Sequence, residues 1–311
     1  MRSAEKVALV AVQMRTTLED YQSEKHLANR IDQLVASGKS RVTQGVPTVV
    51  VLPEDIGLGM LFIDDYKAVR ECKSIYEAAA ILSQRYASSI QQVVDAYKVS
   101  PTRALLMVLG KKLKSRYQRV FSRVARKHRV TLVAGSAPLP HAKRPYEVYN
   151  TCYVFGPNGN LILSQRKVHL IPLEQRGGLD LCEGRVEDLQ VVDTAGGKLG
   201  VAICLDGFHA DVIETLVERK ATLIAQPSFN PLPWTPQQAE GWKTGLWQAC
   251  QQHPEVIGIN PMMVGKLFED VVIEGRSSIV AHASRTRDGS GYLAQANSAT
   301  EEEVLVTQLQ A

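Results

Sequence analysis

The chain has 311 residues, 45% hydrophobic and 22% charged, with a formal net charge of +4. That length can bury a large core as one large domain or two small ones, and the composition excludes disordered, collagenous and fibrous classes. The mild positive charge does not by itself imply a nucleic-acid partner.

In chain order, VALVAVQ at 7–13 reads as a buried strand; it is too short for a signal h-region and no small-residue cleavage site follows it. Leu27, Ile31, Leu34 and Val35 fall on one face of a helix predicted over 19–37. TVVVLPE at 48–54 is the next strand, halted by Pro53. Helices are expected over 73–98 and 103–128, divided by Ser100-Pro101. VTLVAG at 130–135 is a strand, and YNTCYVF-GPNGN-LILSQ reads as a β-hairpin around a Pro-Asn-Gly-Asn turn. Further strands are predicted at 188–193, 199–203, 221–225, 256–260, 277–281 and 303–308, with a helix over 209–219. Hairpins among so many strands argue against a purely parallel sheet. A β-sandwich flanked by helices, in one compact α/β domain, fits the pattern.

No segment approaches transmembrane length. The five cysteines, Cys72, Cys152, Cys182, Cys204 and Cys250, are scattered without a CxxC pair. That spacing argues against a disulfide framework and a zinc site, and the expectation is a cytoplasmic protein with reduced thiols.

One corner stands out. The apolar run LGVAIC ends on Cys204, and Leu205-Asp206-Gly207 then turns toward the predicted helix. A thiol there would lie near backbone N–H groups and a helix N-terminus, which favour thiolate and can hold an oxyanion. Buried cysteine more often serves as a small hydrophobe, so a nucleophile needs partners. Glu54 sits at the tip of VVVLPE, while Lys167, His169 and Glu174 follow the hairpin in QRKVHLIPLEQ. Each alone reads as a wet strand end; together a sheet would present them on one rim.

The segments Leu52-Pro53-Glu54, Arg166-Lys167-Val168-His169-Leu170 and Gly200-Val201-Ala202-Ile203-Cys204-Leu205-Asp206 resemble, in order and spacing, the nitrilase or carbon–nitrogen hydrolase superfamily. The likeness extends to VALVAVQM at the start and FEDVVIEGRSSIVAHASRTRDG near the end. It implies one α/β domain over 1–311, a four-layer α-β-β-α sandwich, and a Glu54–Lys167–Cys204 triad. Glu54 would serve as base and then acid, and Cys204 as nucleophile. Lys167 would hold the oxyanion together with the Leu205 N–H. Glu174 would orient Lys167 or position substrate, against the plainer reading of a solvated loop carboxylate. His169 matches the motif as a structural histidine bonded to backbone.

The pair Leu205-Asp206 speaks for an amide or N-carbamoyl substrate, since true nitrilases carry Trp-Glu there. Gly59-Met60 replaces a common Gly-Tyr, and Gln248-Ala249-Cys250-Gln251-Gln252 keeps only the Ala of Arg-Ala-x-Glu-Asn. QPSFNPLPWTPQQ at 226–238 is expected to form a pocket wall, with Ser228, Phe229, Asn230 and Trp234 as substrate contacts or as packing anchors. The segment KKLKSRYQRVFSRVARKHR at 111–129 lacks acids, but Leu113, Tyr117, Val120, Phe121 and Val124 keep helical spacing and make it a solvated outer helix rather than an anion or nucleic-acid site. No phosphate loop or metal-ligand cluster is evident, so neither cofactor nor metal is expected, and no membrane or nucleic-acid partner. The resemblance also implies a homo-oligomer. Nitrile hydrolysis, acyl transfer by the same triad, and a non-catalytic binding protein that kept the fold stay open as alternatives.

Overall fold

The computed structural model describes residues 6–310; residues 1–5 and 311 of the expected domain lie outside the described residues. Two sheets carry the architecture. In the seven-stranded sheet the order is Glu303–Gln310, Lys6–Gln13, Thr48–Val51, Thr131–Val133, Val148–Phe155 and Ala137–Pro140, with Leu161–Arg166 also paired to Val148–Phe155. In the six-stranded sheet the order is Tyr292–Gln295, Ser278–Val280, Ile257–Asn260, Leu223–Ala225, Gly197–Val201 and Val191–Thr194.

Alternation along the strands builds four layers. Successive side chains point to opposite faces. Val7, Leu9, Ala11, Val49 and Val51 therefore face Leu199, Val201, Leu223, Ile257 and Ile259 in a core between the sheets. The intervening Val10, Val12, Val50 and Leu52 pack outward on Leu27, Ile31 and Leu34 of the helix Glu24–Ser40 and on Tyr117, Phe121 and Val124 of Pro101–His128. On the other side Ala202, Ile224 and Val280 meet Val212, Ile213 and Leu216 of Ala210–Glu218, with Leu246 and Cys250. Strands buried on both faces read as unbroken apolar runs, which is why VALVAV and TVVV show no polar alternation. This is the α-β-β-α sandwich that the motifs implied.

The element predictions hold with specific shifts. The helix expected over 19–37 begins later: a 3-10 turn occupies Leu18–Tyr21, and Ser23, whose hydroxyl accepts from the His26 N–H, caps Glu24–Ser40. The helix expected over 73–98 is two, Ile75–Arg85 and Ala87–Tyr97, broken at Tyr86, which leaves helical geometry (φ −104°, ψ 15°). The long helix starts at Pro101 under a Ser100 cap. Half of the basic side chains over 111–129 are paired: Arg116 and Arg119 meet Glu24, Lys112 and Arg116 meet Asp64, and Lys127 and His128 meet Asp32. A small sheet of Arg15–Thr17, Val264–Lys266 and Val272–Ile273, and the strands Ala137–Pro140 and Tyr292–Gln295, go beyond the predicted set. All five cysteines are free. Among the described residues no helix is long and apolar enough to cross a membrane.

Candidate active site

Three chain reversals bring Glu54, Lys167 and Cys204 to one end of the sandwich. The strand Thr48–Val51 leads to Pro53, which has no N–H to continue a ladder. There the chain crosses Gly135, whose φ of 67° and lack of a side chain let the Pro53 carbonyl approach. Asp55 turns in the left-handed region (φ 58°) and donates its N–H to Ser136 Oγ at 3.0 Å. Glu54 is left 2% exposed. Lys167, 1% exposed, follows Leu161–Arg166 and is registered by its N–H to the Asn150 carbonyl at 2.9 Å.

The ammonium of Lys167 is held between two carboxylates. Its Nζ donates to Glu54 Oε1 and to Glu174 Oε2, each at 2.7 Å. Asn150 Nδ2 bridges the same pair, to Glu54 Oε1 at 3.0 Å and Glu174 Oε1 at 2.7 Å. The Ile171 N–H donates to Glu174 Oε2 at 3.0 Å. Glu174, 2% exposed, is thus no solvated loop carboxylate. Burying three charges costs more than an exposed pair returns unless each is hydrogen-bonded, and here each is.

Cys204 itself is strained. Its φ is 48°, a left-handed backbone conformation that costs an L-residue roughly 1–2 kcal/mol. Two backbone bonds hold it there: its N–H donates to the Pro227 carbonyl at 2.9 Å, and Gln226 Nε2 donates to its carbonyl at 2.7 Å. The bend lets the thiol face the Phe229 carbonyl oxygen at 3.6 Å. A 3-10 turn, Cys204–Phe208, follows, and Leu205 stands in its first residues, where N–H groups lack intrahelical acceptors. Asp206, fully buried, ties two of the reversals together. Its carboxylate accepts from the N–H groups of Val168 (3.1 Å), His169 (2.8 Å) and Ile203 (3.2 Å). A side chain at Gly207 would collide with Gln226.

Electrostatics follow from this burial. Burial pushes the Glu54 carboxyl up to about 7, although Lys167 pulls it down. The Asp206 carboxyl is lifted by burial to about 6, with the three N–H bonds opposing. The neighbouring carboxylates keep Lys167 protonated well above the ordinary range despite its burial. Burial, then the Glu54 charge, hold the Cys204 thiol well above its usual value, with Lys167 only partly offsetting them. This runs against the thiolate expectation: burial and the Glu54 charge outweigh the help that Lys167 gives the anion and favour a thiol beside a base.

Of the expected substrate contacts, Phe229 presents its carbonyl to the thiol. Ser228 is fully buried, donating to the Gln226 carbonyl and accepting from Asn260 Nδ2, and Asn230 gives its amide to the Leu232 and Glu274 carbonyls. The Ser228 hydroxyl and the Asn230 amide nitrogen are thus bonded within the wall. Trp234 lines a cavity of about 260 Å³ on the outer side of the second sheet, with Trp242, Trp247, Tyr292 and Arg276. His169 also departs from expectation. Its ring bonds the Asp211 carboxylate at 3.0 Å and stacks on His209, instead of bonding backbone.

Asn150, Asp206 and Gln226 were not singled out in the sequence for these positions. The available signal was a polar amide or acid inside an apolar run, in VYNTCYVF, AICLDG and TLIAQ, where burial forces a partner.

Comparison with known proteins agrees with this geometry. The profile of the Carbon-nitrogen hydrolase family matches residues 10–311. The Mus musculus omega-amidase NIT2 is 32% identical over 114 residues, covering 35% of this chain and 40% of that protein. The chloroplastic omega-amidase of Arabidopsis thaliana is 32% identical over 158 residues, covering 48% of this chain and 37% of that one. The matched stretch therefore spans about two fifths of these relatives. In fold, the chain resembles a carbon-nitrogen hydrolase from Helicobacter pylori (TM-score 0.66, 18% identity, 99% of this chain and 90% of that one). It also resembles an amidase from Nesterenkonia sp. (TM-score 0.63, 20% identity, 100% and 92%). With the profile spanning nearly the whole chain and a Glu, a Lys and a Cys converging at the rim of its sandwich, this protein belongs to the carbon–nitrogen hydrolase family.

Proposed function

We propose that the protein is a cysteine amidase acting on a small non-peptide amide or N-carbamoyl compound. The observation that carries this reading is Lys167 Nζ at 2.7 Å from Glu54, beside a strained, buried Cys204. Glu54 takes the Cys204 proton as sulfur attacks the carbonyl carbon. The tetrahedral oxyanion is held by the Lys167 ammonium and the Leu205 N–H. Glu54 returns the proton to the departing nitrogen, ammonia or an amine leaves, and a thioester remains. Glu54 then deprotonates water, which attacks the thioester; the acid is released and the thiol regains its proton. Glu174 and Asn150 position the lysine and the base. Phe229 and Trp234 remain candidates for the substrate's surroundings.

A fold relative, the Nesterenkonia amidase, accepts a covalent acetamide moiety at its active-site cysteine, which supports a cysteine nucleophile here by analogy. We further read the chain as one domain and as a cytoplasmic homo-oligomer; the first and last of these rest on the family resemblance, and the compartment on the scattered, free cysteines. The test is ammonia release from a panel of amides, N-carbamoyl amino acids and nitriles, compared between the native protein and Cys204→Ala. Release confined to amides or carbamoyl compounds and lost in the variant supports the proposal. Release that survives in Cys204→Ala refutes it, and product formed only when an amine is added moves the reading to acyl transfer.

A further inference from the structure

Two residues beyond Lys167, on the outer side of the same segment, lies a cluster that the reaction leaves unused. His169 Nε2 stands 3.0 Å from both carboxylate oxygens of Asp211. The His209 ring stacks on that of His169, with centroids 3.7 Å apart and planes 10° from parallel. His209 is the N-cap residue of the helix Ala210–Glu218 but makes no side-chain capping bond. One ligand atom from each of His169, His209 and Asp211 lies within 4.8 Å of the others, the one such group of three among the described residues. Two imidazoles and one carboxylate are the donor set of an open zinc-type site.

We propose that His169, His209 and Asp211 form a surface site for a divalent transition-metal ion of the zinc class, with water in the fourth position. Donors around a tetrahedral ion at 2.0–2.2 Å stand about 3.3–3.6 Å apart, so the three side chains must draw together, and because imidazole lone pairs lie in the ring plane the His209 ring must also turn out of its stack on His169. The backbone is already set for this. Asp206 accepts from the His169 N–H at 2.8 Å, and its carbonyl accepts from the His209 N–H at 3.2 Å. On binding, the ion replaces the His169–Asp211 hydrogen bond, and the ring changes tautomer, Nε2 giving up its proton to solvent as Nδ1 takes one, so that it stays a neutral ligand. The Val212 N–H continues to hold Asp211 Oδ1 at 2.9 Å. Imidazole donors select zinc, cobalt and nickel over magnesium and calcium, which take oxygen ligands. The ion clips the segment carrying Lys167 to the helix that follows Cys204, as an outer counterpart to the Asp206 bonds.

The experiment titrates cobalt(II) into the Cys204→Ala protein, where the buried nucleophile cannot compete, following heat and the visible spectrum. One equivalent is expected, with ligand-field bands and no thiolate-to-cobalt charge transfer, displaced by zinc but not by magnesium. His209→Ala, which removes a ring with no capping role, and Asp211→Asn are each expected to weaken binding by more than about tenfold, the loss that even an outer-shell change brings. Circular dichroism confirms that both variants fold. Absence of binding, a thiolate band from Cys72 or Cys182, displacement by magnesium, or unchanged affinity in either folded variant overturns the site.

Discussion

Replacing Lys167 by methionine tests the electrostatic design of the site most directly. The native side chain is fully buried and answers two carboxylates that are themselves 2–3% exposed. Methionine fills a similar volume but leaves Glu54 and Glu174 facing each other with no cation between them, and only neutral donors, Asn150, the Ile171 N–H and the Cys204 thiol, to answer them. Breaking a buried pair by removing one partner costs about 3–5 kcal/mol, a large part of a typical total of about 5–15 kcal/mol. The pH dependence carries a sign. Without the cation the Glu54 carboxyl, already raised in the folded state, loses the charge that pulled it down and rises further above its unfolded value of about 4.3. The folded variant then holds protons that the unfolded chain has released, so its stability is fullest at low pH and falls as pH rises through the folded pKa. Urea unfolding of native and variant protein at about pH 8 and about pH 5 measures this. The deficit is expected to be near the full figure at the higher pH and clearly smaller at the lower, with Lys167→Met/Glu54→Gln recovering part of it. A deficit below about 1 kcal/mol at pH 8, or one that grows toward acid, would refute the reasoning.

Four further outcomes follow from the same geometry. With the Glu54 carboxyl pushed up to about 7, a base that must be ionised gives a kcat/KM that falls as pH drops below about 7 and levels off above it; a flat acid limb down to about pH 5 contradicts the assignment. Glu54→Gln should lower kcat by about 10²–10⁴-fold and Cys204→Ala should abolish turnover, both with native circular dichroism; substantial residual turnover in the cysteine variant sinks the mechanism. Because Cys204 holds φ at 48°, Cys204→Gly should be more stable than Cys204→Ala by roughly 0.5–1 kcal/mol, reversing the usual order; chemical denaturation that ranks alanine higher removes the case for strain. Asp206→Asn, which turns one acceptor oxygen into a donor facing buried N–H groups of Val168, His169 and Ile203, should cost about 2–4 kcal/mol and lower turnover with it; a variant as stable as the native protein shows that those bonds position nothing.

Much of this architecture was legible in the chain. Apolar runs such as VALVAV and TVVV read as strands buried on both faces, and the spacing of Leu113, Tyr117, Val120, Phe121 and Val124 as a helix with one buried face, and both readings match the fold. Glu54, Lys167 and Cys204 at the ends of such runs each had an ordinary explanation, and it was the resemblance of the three segments, in order and spacing, that implied a triad. Element boundaries were less legible. The Ser23 cap and the break at Tyr86 depend on local hydrogen bonds and backbone angles that apolar periodicity does not carry.

The sequence by itself determined which faces of its strands and helices are buried, since hydrophobic period and turn chemistry act locally along the chain. It also determined the order and types of the three rim residues. Only the tertiary structure decided their ionisation. Burial and the Glu54 charge favour the Cys204 thiol and Lys167 only partly offsets them, while Glu174, the second carboxylate on that lysine, arrives by a separate loop bonded through Asn150 on a neighbouring strand. The same holds for Ser228 and Asn230, turned inward by partners from distant strands, and for His169, His209 and Asp211, gathered from two segments. Charge and hydrogen-bond satisfaction are sums over neighbours in space, and those neighbours are set by packing rather than by adjacency in the chain.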